Sequence, residues 1–153
     1  MINARVWLAA GALVVSGSTF AQGLSPAKPE DAVRYRTSVM YVMSQHFGVL
    51  AAMARGDRPY EQSVAVANAT QVDNLLKMPW NAFYVAGSDK VKTRAKPEVM
   101  TEKDKFMGIA AKIQEETTKL VAAANSGDAG ALKTQFGAVG GQCKACHDPY
   151  RSQ

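Results

Sequence analysis

Leu132-Lys133-Thr134-Gln135-Phe136-Gly137-Ala138-Val139-Gly140-Gly141-Gln142-Cys143-Lys144-Ala145-Cys146-His147-Asp148-Pro149-Tyr150 carries the pattern from which the architecture can be read. Leu132, Phe136, Val139, Cys143, Cys146 and Tyr150 recur at spacings of four, three, four, three and four, the repeat of a helix face turned toward a bundle core. Asp128, just ahead, is a good N-cap. Both cysteines thus fall on the core seam. Pro149 lacks the helical N–H and clashes with the preceding turn, so the helix is expected to end or kink there.

Three more helical stretches precede this one. Pro29-Glu30-Asp31 has the form of a first turn, with Pro near N1 and two acids at the positive end of the dipole. Val33, Arg36, Met40, Met43, Phe47, Leu50 and Ala54 then form one seam, and Gly56 ends it. A second line, Tyr35, Val39, Val42, His46, Val49 and Met53, makes this helix apolar over more surface than one core needs, which predicts a second helical partner such as another copy of the chain. The next helix is expected from about Tyr60 to Lys77, stopped by Pro79. From Trp80 to Pro97 no period is sustained, yet Trp80, Phe83 and Tyr84 predict a connection packed against the bundle. Thr101-Glu102-Lys103-Asp104 resembles a capping box with Asp in place of Glu, and Phe106, Ile109, Ile113, Thr117, Leu120 and Ala124 give a third seam. With no competing strand pattern, the expected class is all-α, an antiparallel four-helix bundle.

Cys143-Lys144-Ala145-Cys146-His147 is the attachment signature of a c-type haem: two thiols add across the vinyl groups and the adjacent imidazole binds iron. On a helix, positions 143, 146 and 147 share one face, so one rigid element can both anchor the porphyrin and present its ligand. A disulfide across this spacing would constrain almost no chain. A thioredoxin-like pair needs a strand before its helix, and a zinc site would have His46 as its one remaining histidine.

The chain has 153 residues, 47% of them hydrophobic and 20% charged, with two cysteines, which suits one ordinary globular domain. Its formal charge of +5 is spread over scattered Lys and Arg with no basic block interleaved with aromatics, which argues against nucleic acid. At the N-terminus, Arg5, the apolar run Val6 to Val15 and Thr19-Phe20-Ala21 read as an export signal cut after Ala21, leaving 22–153 as the working domain. Ten apolar residues fall short of the roughly 20 that span a bilayer, so no membrane insertion is expected.

The haem motif followed by Asp148, Tyr150 and Arg151, the opening Lys28-Pro29-Glu30-Asp31-Ala32-Val33-Arg34-Tyr35-Arg36 and the central Pro79-Trp80-Asn81-Ala82-Phe83 together resemble cytochrome c′, the class II c-type cytochromes. The resemblance covers essentially all of 22–153. It implies a left-handed four-helix bundle, a homodimer packed through the first helices, a periplasmic location, and one covalent haem c whose iron is five-coordinate and high-spin. By resemblance Cys143 and Cys146 are thioether anchors, His147 is the proximal iron ligand, Arg151 lies near it on the solvent side, and Arg36 approaches a haem propionate. The apolar seam singles out Arg36 independently, because a charge there must either find a partner or snorkel to solvent. Thr37 beside it is expected to add a polar contact, and the segment before Pro97 to reach the haem edge.

Met40 matches the family position over the distal face. A thioether there can plug the sixth iron position or coordinate it and give a low-spin electron-transfer haem. The functional expectation is a haem protein that binds small diatomics, NO and CO, and exchanges single electrons with an unidentified redox partner. The alternative is a dedicated electron carrier with His147 and Met40 as axial ligands. No acid-base pair or nucleophile accompanies the motif, so no enzymatic role is expected. Met43 is read as core, and His46 as an interface or surface residue.

Overall fold

A computed structural model of the chain describes residues 26–153; the expected export segment lies outside them. Four long helices and two short ones follow one another: α1 (Pro29–Arg55), α2 (Gln62–Leu75), a 3-10 turn (Trp80–Phe83), α3 (Glu98–Thr101), α4 (Lys103–Asn125) and α5 (Ala129–Tyr150). The long helices meet as α1 with α2, α2 with α4, α4 with α5, and α5 with α1, which closes a four-helix bundle. Short turns join α1 to α2 and α4 to α5, so those neighbours run antiparallel; Gln62 at the start of α2 donates to the carbonyl of Asn125 at the end of α4, so that pair is antiparallel too, and with it α1 and α5. Among the described residues no helix is long and apolar enough to cross a membrane.

The helix ends follow their local chemistry. α1 starts on Pro29 with Glu30 and Asp31 in its first turn, and Gly56 closes it in the left-handed region at φ 81°, with its N–H and that of Asp57 donating to carbonyls of the last turn. α5 begins behind Asp128, whose carboxylate accepts from the Gly130 and Ala131 N–H groups. The expected capping box at Thr101 does not form. Pro97 opens the short helix α3 one turn earlier, Thr101 is its last residue, and α4 starts at Lys103 behind Glu102 with no side-chain cap. Pro149 neither stops nor breaks α5 before Tyr150; it sits in the last turn, where the helix ends within two residues.

The seams meet as their spacing predicts. Leu50, Phe106, Ile113, Leu120, Ala124, Leu132, Val139 and Tyr150 are buried together, with Met40, Met43, Phe47, Phe136, Cys143 and Cys146 packed around them. The second line on α1 is largely covered within the chain. Val39 and Met53 are buried, and the His46 ring nitrogen lies 2.9 Å from Asn68 Oδ1 of α2. What stays open on α1 is Tyr41, 67% exposed, and Val42, 44% exposed.

Between α2 and α4 lies a buried polar knot that no spacing rule indicates. Asp73 accepts from Lys77 Nζ at 2.5 Å, from Thr117 Oγ1 at 2.9 Å and from Thr118 Oγ1 at 3.1 Å. Burial alone would raise this carboxyl, but those three donors and the Lys77 charge outweigh it and hold it below the ordinary value.

Candidate functional site

One end of the bundle, where α1 begins and α5 finishes, gathers the motif and its neighbours. Phe47 of α1 stacks on Phe136 of α5 with ring centroids 4.4 Å apart, which fixes the register of these antiparallel helices. At about 1.5 Å rise per residue, seven positions along each helix from that stack reach Met40 on α1 and Cys143 on α5, and eleven reach Arg36 and His147. Residues more than a hundred positions apart thus come to the same two levels of the bundle.

Cys143 and Cys146 are free, half-buried and packed against the core. Burial pushes both thiols up, Cys146 to about 11 with a further push from Cys143, so both are protonated at neutral pH. His147 is the exposed member. Desolvation lowers its pKa, aided by the charges of Arg151 and Arg94 and opposed by Asp148, which favours the neutral imidazole that can bind a metal. Beside it opens a concavity of about 570 Å3 lined by Arg94, Lys96, His147, Asp148 and Arg151. That is within the roughly 300–1,000 Å3 of small-molecule sites.

Arg36 does not snorkel: it is 3% exposed. Its Nη1 donates to the Ala82 carbonyl at 3.0 Å and to Ser88 Oγ at 3.4 Å, and its guanidinium carbon sits 4.5 Å from the Phe83 ring centroid. All of these partners are uncharged, and none of the ion pairs among the described residues includes Arg36. A buried cation satisfied only by neutral groups fits an anionic cofactor arm. Together with the two inward thiols and the accessible imidazole on one helix face, the residues present fit a covalent haem. Thr37 is placed otherwise. It is exposed, and its hydroxyl lies 2.8 Å from the Val33 carbonyl oxygen and 3.0 Å from that of Arg34, so it is engaged by its own helix.

The aromatics of the connection form a wall around Phe106. Trp80, Phe83, Tyr84 and Tyr150 all meet its ring edge to face, with centroids from 4.9 to 6.3 Å away. The segment before Pro97 lies beside His147. Ala95 pairs with Arg151 in an isolated antiparallel bridge, Lys96 N–H donates to the Tyr150 carbonyl, and Ser152 N–H donates to that of Arg94. Arg94, Lys96 and Ser88 are site neighbours that the helix periods do not pick out. Arg94 and Lys96 belong to an irregular segment, and Ser88 acts only through the distant Arg36.

A family model described as cytochrome C′ matches residues 31–151. The chain is 39% identical over 127 residues to cytochrome c′ of Alcaligenes xylosoxydans xylosoxydans, covering 83% of this chain and 98% of that one. It is 40% identical over 127 residues to cytochrome c′ of Rubrivivax gelatinosus, covering 82% and 98%. Among solved structures, the nitric oxide complex of a single-residue variant of the Alcaligenes xylosoxidans protein superposes with a TM-score of 0.78 at 39% identity, over 84% of this chain and 99% of that one. The Rubrivivax gelatinosus structure gives 0.78 at 38% identity, over 82% and 98%.

Proposed function

Because the chain belongs to the cytochrome c′ family, we propose that it is a periplasmic c-type haem protein that binds small diatomic gases, NO and CO, and exchanges single electrons. The observation that carries this reading is the shared level of Arg36 and Met40 on α1 with Cys143 and His147 on α5. A bound haem would supply an iron that takes diatomics and cycles by one electron. The relative solved as a nitric oxide complex supports the choice of ligand.

Each residue then has a distinct task. The Cys143 and Cys146 side chains, packed against the core, would hold the porphyrin edge covalently, and His147 would present a neutral imidazole nitrogen to the metal. Arg36 would offer its cation to a propionate from a site already desolvated. Met40 is half-buried and packed on the core, so its thioether fills the space across from the motif helix and excludes water and larger ligands. The Phe106 cluster keeps the surroundings apolar. Thr37 stands at most behind Arg36, since its hydroxyl is engaged by its own helix. A homodimer through α1 would cover Tyr41 and Val42.

The same placement of Met40 supports a second reading, in which its sulfur binds the metal and His147 and Met40 serve a low-spin electron carrier. The absorption spectrum of the purified protein, oxidised and dithionite-reduced, with and without CO, separates the two. A broad reduced band that shifts sharply with CO supports the gas-binding protein. Narrow split bands indifferent to CO overturn it in favour of the carrier.

A further inference from the structure

Ser88-Asp89-Lys90-Val91-Lys92-Thr93-Arg94-Ala95-Lys96-Pro97 carries a cation at every second position. Exposure follows it in part: Lys90, Lys92 and Arg94 are exposed, whereas Val91, Thr93, Ala95 and Lys96 are half-buried. The segment bends at Lys90–Val91 and again at Arg94, and it leaves these three cations open to solvent with the residues between them partly covered. The end of the stripe is held in place by the Ala95–Arg151 bridge and its flanking backbone hydrogen bonds, which bring Arg151 to the same side as His147.

None of these cations is neutralised by an ion pair among the described residues. Lys96 Nζ donates to the backbone carbonyl of Asp148 at 3.1 Å and Arg94 Nε to that of Ser152 at 3.2 Å, both uncharged acceptors. The Asp148 carboxylate is paired with Lys144. No ion pair among the described residues includes Lys90, Lys92, Arg94, Lys96 or Arg151, whereas at the other end of α1 Arg55 pairs with Asp57 and Arg58 with Glu61. One acid, Asp89, stands at the head of the stripe. The face around His147 is therefore a fixed row of unpaired positive charge. Such a row attracts a partner of opposite sign and orients it before contact.

We propose that the face formed by Lys90, Lys92, Arg94, Lys96 and Arg151 is the docking surface for a redox protein that presents clustered carboxylates, and that it brings such a partner against the His147 edge for electron exchange. This rests on the reading that the chain holds a haem and passes single electrons. An anionic bilayer is the weaker occupant, because the residues between the cations, Val91, Thr93 and Ala95, are small and half-buried and offer no large exposed apolar side chain to enter lipid.

The test uses the haem-loaded protein, reduced, with plastocyanin as a carboxylate-rich probe that accepts one electron at its cupric centre. Stopped-flow rates are compared for wild type, Lys90→Glu/Lys92→Glu, and a control reversal of equal charge elsewhere, Lys112→Glu/Lys133→Glu. We expect the stripe variant to react about 10- to 100-fold more slowly at low ionic strength, the gap closing by about 0.5 M salt, with the control within about threefold of wild type. Equal slowing by both variants would reduce the effect to net charge and overturn the proposal. Rapid oxidation of the wild type by ferricyanide with plastocyanin rates indifferent to the stripe would overturn the docking surface and leave electron exchange standing. A protein oxidised by neither reagent would overturn the electron-exchange reading beneath it. Loss of binding to phosphatidylserine vesicles in the stripe variant, with the plastocyanin rate unchanged, would assign the face to a membrane instead.

Discussion

The Asp73 carboxylate on α2 accepts a hydrogen bond at 2.9 Å from the hydroxyl of Thr117 on α4, which is fully buried. With Lys77 and Thr118 completing its shell, this is the buried polar fastening between two helices that are tied nearer their ends by Gln62 donating to the Asn125 carbonyl and Gln114 donating to that of Leu76. Asp73→Ala should destabilise the fold by about 2 kcal/mol, because it removes a charged acceptor shared by three donors, although the Thr117 hydroxyl keeps the Gln114 carbonyl at 3.0 Å. Thr117→Val should cost about 1 kcal/mol. The Asp73 carboxyl is held below its ordinary value, so its contribution is fully present above about pH 5 and is lost as the pH falls below about 4 and through the folded-state pKa. Urea unfolding of wild type and Asp73→Asn as a function of pH should show two stability curves that converge in acid.

Arg36 is a buried cation among neutral acceptors, and its removal should be felt electrically. In the haem-loaded protein Arg36→Leu should lower the reduction midpoint by roughly 50 mV, since withdrawing a nearby positive charge favours the oxidised state. Arg36→Lys keeps the charge and should restore most of that shift while losing the contact with Phe83. Spectroelectrochemical titration checks both.

Met40→Ala distinguishes plug from ligand. If the thioether only fills space, the wild type is already high-spin and the variant should bind CO at least about tenfold faster, as deletion of this half-buried methionine side chain opens room beside the metal. If the sulfur is bound, the variant should lose its low-spin bands.

The thiols make a separate prediction for the chain before haem attachment. Burial holds Cys143 and Cys146 protonated, Cys146 up to about 11, so iodoacetamide should label the haem-free protein slowly at pH 7 and progressively faster toward pH 11. Acid urea, by exposing both, should bring the labelling on return to pH 8 to the rate of an ordinary cysteine.

Tyr41 and Val42 are the large apolar side chains left open on α1. Tyr41→Glu/Val42→Glu should convert a dimer to a monomer in sedimentation equilibrium without altering the helical content, because neither side chain contributes to the buried core.

The helices were legible wherever one side chain in three or four had to enter the core. The α5 seam from Leu132 to Tyr150 and the start and stop of α1 at Pro29 and Gly56 follow from such local rules, and so does the helix carrying Cys143, Cys146 and His147. Relationships made by the tertiary structure were not. Asp73 has partners 44 and 45 positions away on another helix, and Arg36 finds Ala82 and Ser88 at separations of 46 and 52. Neither leaves a local trace, so Arg36 could be singled out as a charge in need of a partner without those partners being identified. At Thr101 the local signal was present and lost. Pro97 had already started a helical turn, and Glu102 was drawn to Lys105 and Tyr150. The line from Tyr35 to Met53 on α1 was apolar as read, but Val39 and Met53 are buried and His46 meets Asn68 of α2, all within the same chain.

The bridge between Ala95 and Arg151 also restricts how this connection can vary in length. Lys96 N–H donates to the Tyr150 carbonyl and Ser152 N–H to that of Arg94, so the end of the connection is tied to the residues that finish α5. A residue removed between Lys90 and Thr93 would shorten only the bent part before that tie, whereas one removed between Arg94 and Pro97 would break it and carry Arg94 and Lys96 away from His147. Insertions and deletions should therefore be tolerated before Arg94 and not after it.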